Sequence, residues 1–327
     1  MDFKTNMHTT RFDFAAILLL LLGSLTACRP QSSRETSKPS YNEDKPKVVA
    51  TTTIVGDVVA QVGGDQIELN MLLPVGTDPH SFDPTPQDVA KVAEADVVFA
   101  NGAGLEAFLD NLIESAGAQD KIVYVSAGID FLISDGEENE QEGQDHPHTG
   151  ADPHTWTDPN NVMVWVQNIE QKLSQFDPEY AQLYTANAEA YRAKLEDLDT
   201  WIREQAALIP AENRKLVTDH TLFGYYAEEY GFEQVGALIP GYSTLAETTA
   251  QDLADIENAI RELNVRAVFV GNTINASLAR RVAEDTGIQL IFVYTGSLGE
   301  PSGEAGTYLT YMRYNTTAFV NALTPSP

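Results

Sequence analysis

Residues 177–208 read DPEYAQLYTANAEAYRAKLEDLDTWIREQAAL, and after Pro178 no Gly or Pro occurs before Pro210. Asp177-Pro178-Glu179 has the form of a helix N-cap followed by Pro at the first helical position. Leu183, Tyr184, Ala188, Tyr191, Leu195, Leu198 and Ile202 recur at helical spacing. The pattern predicts one helix of about 30 residues, roughly 45 Å long. A helix of that length suits a rod between two lobes.

The chain on either side alternates between β-branched runs and helical segments. Upstream, residues 47–54 predict a strand, 55–62 a helix stopped by Gly63-Gly64, and 67–73 a second strand ending at Pro74. Pro86 lies in the first turn of a helix to residue 95, followed by a strand at 96–100. Residues 105–116 predict a helix with Glu106 near its start, and 121–125 another strand. A helix at 159–176 precedes the rod. Downstream, strands are expected at 215–218, 232–238, 267–270 and 290–294. Helices are expected at 223–230, 249–263, 276–286 and 308–323. Such alternation implies parallel sheets covered on both faces. The expected fold class is α/β: two lobes, each a parallel β-sheet flanked by helices, joined by one long rigid helix. The lobes fall at 47–177 and 209–327, and the linking helix at 178–208.

The 327 residues are 43% hydrophobic, enough for two cores. The formal net charge of −28, from 48 acidic and 20 basic side chains, argues against a nucleic-acid partner. It suits a protein that meets cations, although plain solubility also explains it. Cys28 is the only cysteine, so no intramolecular disulfide forms. Residues 1–14 are mostly polar, with Lys4 and Arg11 offset by Asp2 and Asp13; an apolar run to Leu22 and Leu25-Thr26-Ala27-Cys28 follow. This is a secretory signal layout, too short for a spanning helix. Leu-Thr-Ala-Cys resembles the lipobox of bacterial lipoproteins, in which the Cys is lipidated and becomes the new N-terminus. Residues 1–28 are therefore expected to be a lipoprotein signal peptide, and Cys28 the lipid anchor of an extracytoplasmic protein. Residues 29–46, rich in Ser, Pro, Lys and Glu, read as a flexible tether. Residues 135–148 carry six acids, no Lys or Arg, and close on His146 and His148. They read either as a loop that gathers divalent cations or as a solvated linker.

Asp78-Pro79-His80-Ser81-Phe82-Asp83-Pro84 nearly recurs as Asp152-Pro153-His154-Thr155-Trp156-Thr157-Asp158-Pro159. Each Pro fixes its own φ and pushes the preceding residue into extended conformation, so each His sits on a stiff loop. A third His, His220 in Thr218-Asp219-His220-Thr221, lies at the end of an expected strand. Ligands of open α/β sheets bind beyond the C-terminal strand ends. Three imidazoles meeting there would make a nitrogen-rich metal site. Zinc prefers such donors, at about 2.0–2.1 Å, whereas manganese and magnesium favour oxygen. For each His taken alone, a surface or loop-capping role is the competing explanation. The repetition of the motif argues against coincidence for His80 and His154.

Further residues complete a pattern: Pro74-Val75-Gly76-Thr77 before the first motif, Pro84-Thr85-Pro86-Gln87-Asp88 after it, and Asn101-Gly102 with Leu105-Glu106. Asp219-His220 followed by Phe223-Gly224-Tyr225-Tyr226 extends it. Over about residues 47–325 the chain resembles the metal-binding lipoproteins of bacterial ABC importers for zinc or manganese. The resemblance implies two lobes, each with a parallel sheet, joined by one long helix, with the metal bound in their interface. It implies His80, His154 and His220 as metal ligands. The third position is His in zinc-type members and Glu in many manganese-type ones, so it implies Zn(II) as transported ligand, with manganese as the alternative. The implied partner is a membrane permease, and a monomer is expected. The acidic loop before His154 resembles the variable His-rich loop of zinc members. The chain departs from the family at Gly296, where members often carry an Asp ligand. That leaves three His plus water, or recruitment of Glu300, His146 or His148.

A three-His site with an open position also suits a secreted zinc hydrolase or lyase. No His-Glu-x-x-His helix supplies a general base, and no P-loop pattern is present, so the protein is expected not to be an enzyme. A lipoprotein adhesin without transport is a third reading. Metal affinity should fall as pH drops through the His pKa of ~6.5.

Overall fold

The computed structural model describes residues 45–133 and 150–325. The expected signal peptide with Cys28, most of the tether, and the acidic loop with His146 and His148 lie outside the described residues. The first lobe comprises β1 (Lys47–Ala50), α1 (Thr53–Gly63), β2 (Glu68–Met71), α2 (Pro86–Glu94), β3 (Val97–Ala100), α3 (Leu109–Ala116) and β4 (Ile122–Tyr124). Its strands form one parallel sheet in the order β2-β1-β3-β4. Then come α4 (Pro159–Phe176) and α5 (Ala181–Ala206). The second lobe comprises β5 (Lys215–Thr218), α6 (Gly224–Tyr230), β6 (Glu233–Ala237), α7 (Ala250–Glu262), β7 (Ala267–Gly271), α8 (Ser277–Thr286), β8 (Gln289–Val293) and α9 (Tyr308–Leu323). Its sheet repeats the plan in parallel order β6-β5-β7-β8.

Each sheet has helices on both faces, as near-continuous apolar strands require. On the outer face of the first sheet, Val49 and Val98 pack with Leu109, Leu112 and Ile113 of α3. On that of the second, Val217 and Val268 pack with Ile256, Ile260 and Val282. The inner faces share one core. Val48 and Phe99 from the first sheet, Phe269 from the second, Trp165 of α4, the stripe Tyr184, Tyr191, Leu195, Leu198 and Ile202 of α5, and Phe319 of α9 belong to it. Burying each such side chain stabilises the fold by roughly 1.5–3 kcal/mol. The long helix is therefore part of the core as well as the connection between lobes.

Local chemistry moved three expected boundaries. The long helix begins at Ala181, and its 26 residues span about 39 Å. Asp177 instead ends α4, its N–H donating to Leu173 O at 2.8 Å while its carboxylate accepts from Tyr184 OH at 2.9 Å. The first β-branched run ends as a strand at Ala50, because Thr52 caps α1 by accepting from Val55 N at 3.2 Å. The expected helix at 105–116 starts only at Leu109. Residues 102–104 all take left-handed backbone, with φ of 89°, 52° and 80° for Gly102, Ala103 and Gly104. That geometry is disfavoured for Ala103, which carries a Cβ.

Candidate metal centre

His80 follows β2, His154 begins the turn before α4, and His220 follows β5. The two Asp-Pro-His copies fold alike locally. Asp78 Oδ1 accepts the His80 N–H at 3.1 Å and Asp152 Oδ1 accepts the His154 N–H at 2.9 Å. This is an Asx turn, which the short Asp side chain makes with the backbone two residues on.

The three rings meet. His154 Nε2 lies 3.2 Å from His80 Nε2 and 3.1 Å from His220 Nε2. One ring nitrogen from each falls within 4.8 Å of the others. Tetrahedral zinc at 2.0–2.1 Å from each nitrogen asks for about 3.4 Å between donors, so the separations fit. His80, His154 and His220 are 8%, 1% and 3% exposed. Among the described residues they are the only cluster of metal-ligating side chains, and Glu300 is not part of it.

Carboxylates set the tautomers of two rings. Asp152 Oδ1 lies 2.7 Å from His154 Nδ1, and Asp219 Oδ1 lies 2.6 Å from His220 Nδ1. A carboxylate accepts, so each Nδ1 carries the proton and each Nε2 presents a bare lone pair. Two lone pairs 3.1 Å apart repel unless a cation lies between them. Burial drives the His80 pKa down to about 3, with His154 and His220 adding to the shift and Asp78 opposing it. Burial, then the neighbouring His220, holds His154 well below its ordinary value. Both imidazoles therefore stay neutral, as metal ligands must be. Burial raises Asp152 to about 8 in the metal-free protein, against the opposing His154 N–H and His220, so its proton leaves, and the carboxylate forms behind the ring, when a cation binds.

Contacts between the lobes surround the centre. Thr244 Oγ1 donates to Asp78 Oδ2 at 2.6 Å, and Gly76 N donates to Ser297 Oγ at 2.8 Å. Tyr225 OH donates to Asp152 O at 2.8 Å. A cleft of about 340 Å³, lined by His80, Leu105, Pro153, Tyr242 and Leu245 among others, opens beside the centre at His80. Gly296 stands beside the first motif. A Cβ there would lie 2.6 Å from Pro79 Cδ, so the strand-end loop approaches the His80 loop more closely than any side chain permits.

The three His chosen from the sequence are the three brought together. The ring partners Asp152 and Asp219 went unassigned, although both stand in the quoted motifs. Their signal was an Asp one or two residues before each His. Asn101 and Glu106 stand in the same family pattern, with no local sign of a role at the site.

The family model described as zinc-uptake complex component A, periplasmic, matches residues 48–322. The chain is 34% identical over 318 residues to the manganese-binding lipoprotein MntA of Halalkalibacterium halodurans, covering 97% of this chain and 99% of that one. The periplasmic zinc-binding protein TroA of Treponema pallidum superposes with a TM-score of 0.77 at 26% identity, over 86% of this chain and all of that one. A Mn-bound periplasmic metal-binding protein from Candidatus Liberibacter asiaticus superposes with a TM-score of 0.72 at 26% identity, over 85% of this chain and all of that one. Fold, site geometry and these relationships agree: the chain belongs to the zinc-uptake component A family, the extracytoplasmic metal-binding proteins that serve ABC importers, and is a binding protein rather than an enzyme.

Proposed function

We propose that the protein captures Zn(II) outside the cytoplasmic membrane through His80, His154 and His220 and delivers it to an ABC permease. The observation that carries this reading is the donor set. Three ring nitrogens converge, and no carboxylate joins them among the described residues. An all-nitrogen site suits zinc better than the harder manganese ion, which prefers oxygen. All three rings come from one chain, so a monomer suffices. The buried carboxylates Asp152 and Asp219 offset the ion's charge from behind the rings. A water in the fourth position would complete the tetrahedron. Lipidation at Cys28, supported by Leu25-Thr26-Ala27-Cys28, would hold the protein at the membrane where the permease lies. The continuous core under both lobes favours release through loop and ring movements at the cleft.

One observation favours manganese: the relative at 34% identity is named a manganese-binding lipoprotein. Elemental analysis after loading with manganese in large excess over zinc separates the two readings, since zinc wins at most sites when the two are equimolar. One zinc per chain in the wild type, lost in the triple variant His80→Ala, His154→Ala, His220→Ala, is expected. Manganese retained in place of zinc would overturn the metal, and zinc retained by the triple variant would overturn the site.

A further inference from the structure

We propose that Asn101 and Glu106 are positioning residues of the metal site, acting by clamping the peptide bond that precedes His154. This inference rests on the assignment of His154 as a ligand. Asn101 Nδ2 donates to Pro153 O at 2.9 Å and to Gly102 O at 2.9 Å. Pro153 O belongs to the peptide whose N–H is His154 N, and that N–H donates to Asp152 Oδ1 at 2.9 Å. The plane that launches the His154 side chain is therefore gripped on both edges, by Asn101 at the carbonyl and Asp152 at the amide.

Glu106 holds Asn101 in place. Its Oε1 accepts from Asn101 N at 2.7 Å and from Thr51 Oγ1 at 2.6 Å, and its Oε2 accepts from Gly102 N at 3.1 Å. Glu106 is 7% exposed and Asn101 fully buried. The left-handed turn through Gly102, Ala103 and Gly104 lies between Asn101 and this carboxylate. The same segment reaches the other ligand loop: Phe108 meets Phe82 of the first motif edge to face, with centroids 5.0 Å apart.

The second lobe contains a counterpart. Thr51 follows β1 and Asn101 follows β3, so Glu106 ties together the ends of two adjacent strands where the strand order reverses. In the other sheet, Asp219 follows β5 and Gly271 ends β7. Asp219 Oδ2 accepts from Gly271 N while its Oδ1 holds His220 Nδ1 at 2.6 Å. A buried carboxylate thus occupies the equivalent crevice in both lobes. Asp219 orients its histidine directly, and Glu106 does so through Asn101 and the Pro153 carbonyl.

The test compares Asn101→Ala with Asn168→Ala. Asn168 is a control amide of the same lobe: it also donates to two carbonyls, Val125 O at 2.7 Å and Ala127 O at 2.9 Å, and among the described residues neither bond reaches a ligand loop. Zinc affinity is read by competition with a chromophoric chelator, site geometry by the visible spectrum of the Co(II)-loaded protein, and fold by thermal melting of the metal-free protein. Both variants should lower the melting temperature. Only Asn101→Ala should weaken zinc binding, by roughly 10–100-fold as for other outer partners of metal ligands, and alter the Co(II) bands. Glu106→Gln, which keeps the shape but turns one accepting oxygen into an NH2 that faces a donor, should change affinity and spectrum in the same direction, and it carries the test if Asn101→Ala does not fold. Melting loss with unchanged affinity and spectrum in these variants would overturn the positioning role. Wild-type protein that binds no Co(II) at the histidines would overturn the ligand assignment beneath it as well.

Discussion

Asp78 and Asp152 occupy the same place in two nearly identical segments and do different work. Asp78 lies partly exposed and spends its carboxylate on the His80 N–H, on Ser81 Oγ at 3.1 Å and on Thr244 Oγ1 at 2.6 Å. Asp152 is fully buried, and its Oδ1 accepts from both the N–H and the ring Nδ1 of His154. Among the described residues, carboxylates stand on the Nδ1 of His154 and His220 and none on that of His80. The Asp-Pro-His sequence thus dictates the turn, while tertiary burial decides whether the Asp reaches the ring. The consequence is one fixed ring, His154, and one, His80, whose orientation depends on the lobe contacts around it.

The largest expected effects come from removing the rings themselves. Structural zinc binding of about 10–16 kcal/mol shared over four ligands gives roughly 3 kcal/mol each, so His80→Ala and His154→Ala should each weaken zinc on the order of 10²-fold. The two should separate in the metal-free protein. His154→Ala removes the ring partner of a carboxylate whose Oδ2 already lacks a hydrogen bond, which should lower stability by about 1–3 kcal/mol. His80→Ala strands no such group. Chelator competition and urea unfolding measure both quantities, and equal stability losses would contradict the asymmetry.

Next in size are the carboxylates. Asp152→Asn removes the charged acceptor behind a ligand ring and should reduce zinc affinity roughly 10–100-fold. Asp78→Asn keeps the ring untouched and should change affinity by no more than about threefold, within the range of surface polar substitutions. Similar losses from both would mean that the motif, and not the burial, sets the role.

The pH dependence of the metal-free protein sharpens the same contrast. His80, lowered to about 3, and His154, also held well below its ordinary value, bind fewer protons folded than unfolded. The contribution of each is complete above the ordinary value of 6.5 and falls as pH drops below it; that of His80 is lost as pH falls toward 3. Asp152, raised to about 8, has the opposite sign: its contribution is complete below 3.8 and is lost as pH rises through 8. Thermal melting should therefore show less alkaline loss between about pH 4 and 8 for Asp152→Asn than for the wild type. It should show a shallower acid limb for His80→Ala. Curves of the variants that overlay the wild type would remove burial as the cause.

The sequence announced the two sheets, the long helix and the three histidines, because each is signalled by local pattern: β-branched runs, helical periodicity, and Pro-stiffened loops. It did not announce that Glu106 stands before its helix, because Leu105-Glu106 suits a helix start and only the buried Thr51 and Asn101 partners draw it into a loop. The carboxylate partners of the rings were in plain sight, but an Asp before Pro or His has no local mark that separates a backbone acceptor from a ring acceptor. Gly296 is a further case. Its missing side chain reads as an absent ligand, whereas the structure adds a steric reason that depends on Pro79, more than 200 positions away in the chain.

Gly296→Ala provides the smallest and most selective test of the contrast between motifs. The new Cβ would sit 2.6 Å from Pro79 Cδ and 3.2 Å from its Cγ. A pyrrolidine ring cannot rotate away, so the His80 loop must shift. Overpacking of this kind costs about 1 kcal/mol or somewhat more, and the expected loss in zinc affinity is roughly fivefold. The Asp152–His154 pair does not touch Gly296, so the strain should stay within the first motif. Combined with Asp152→Asn, the two free-energy changes should add to within about 0.5 kcal/mol provided the shared ion and the 3.2 Å approach of His80 to His154 carry no strain between the loops. A clear departure from additivity in the double variant would show that the two rings move together. The first copy would then be as firmly fixed as the second, despite lacking a carboxylate on its ring.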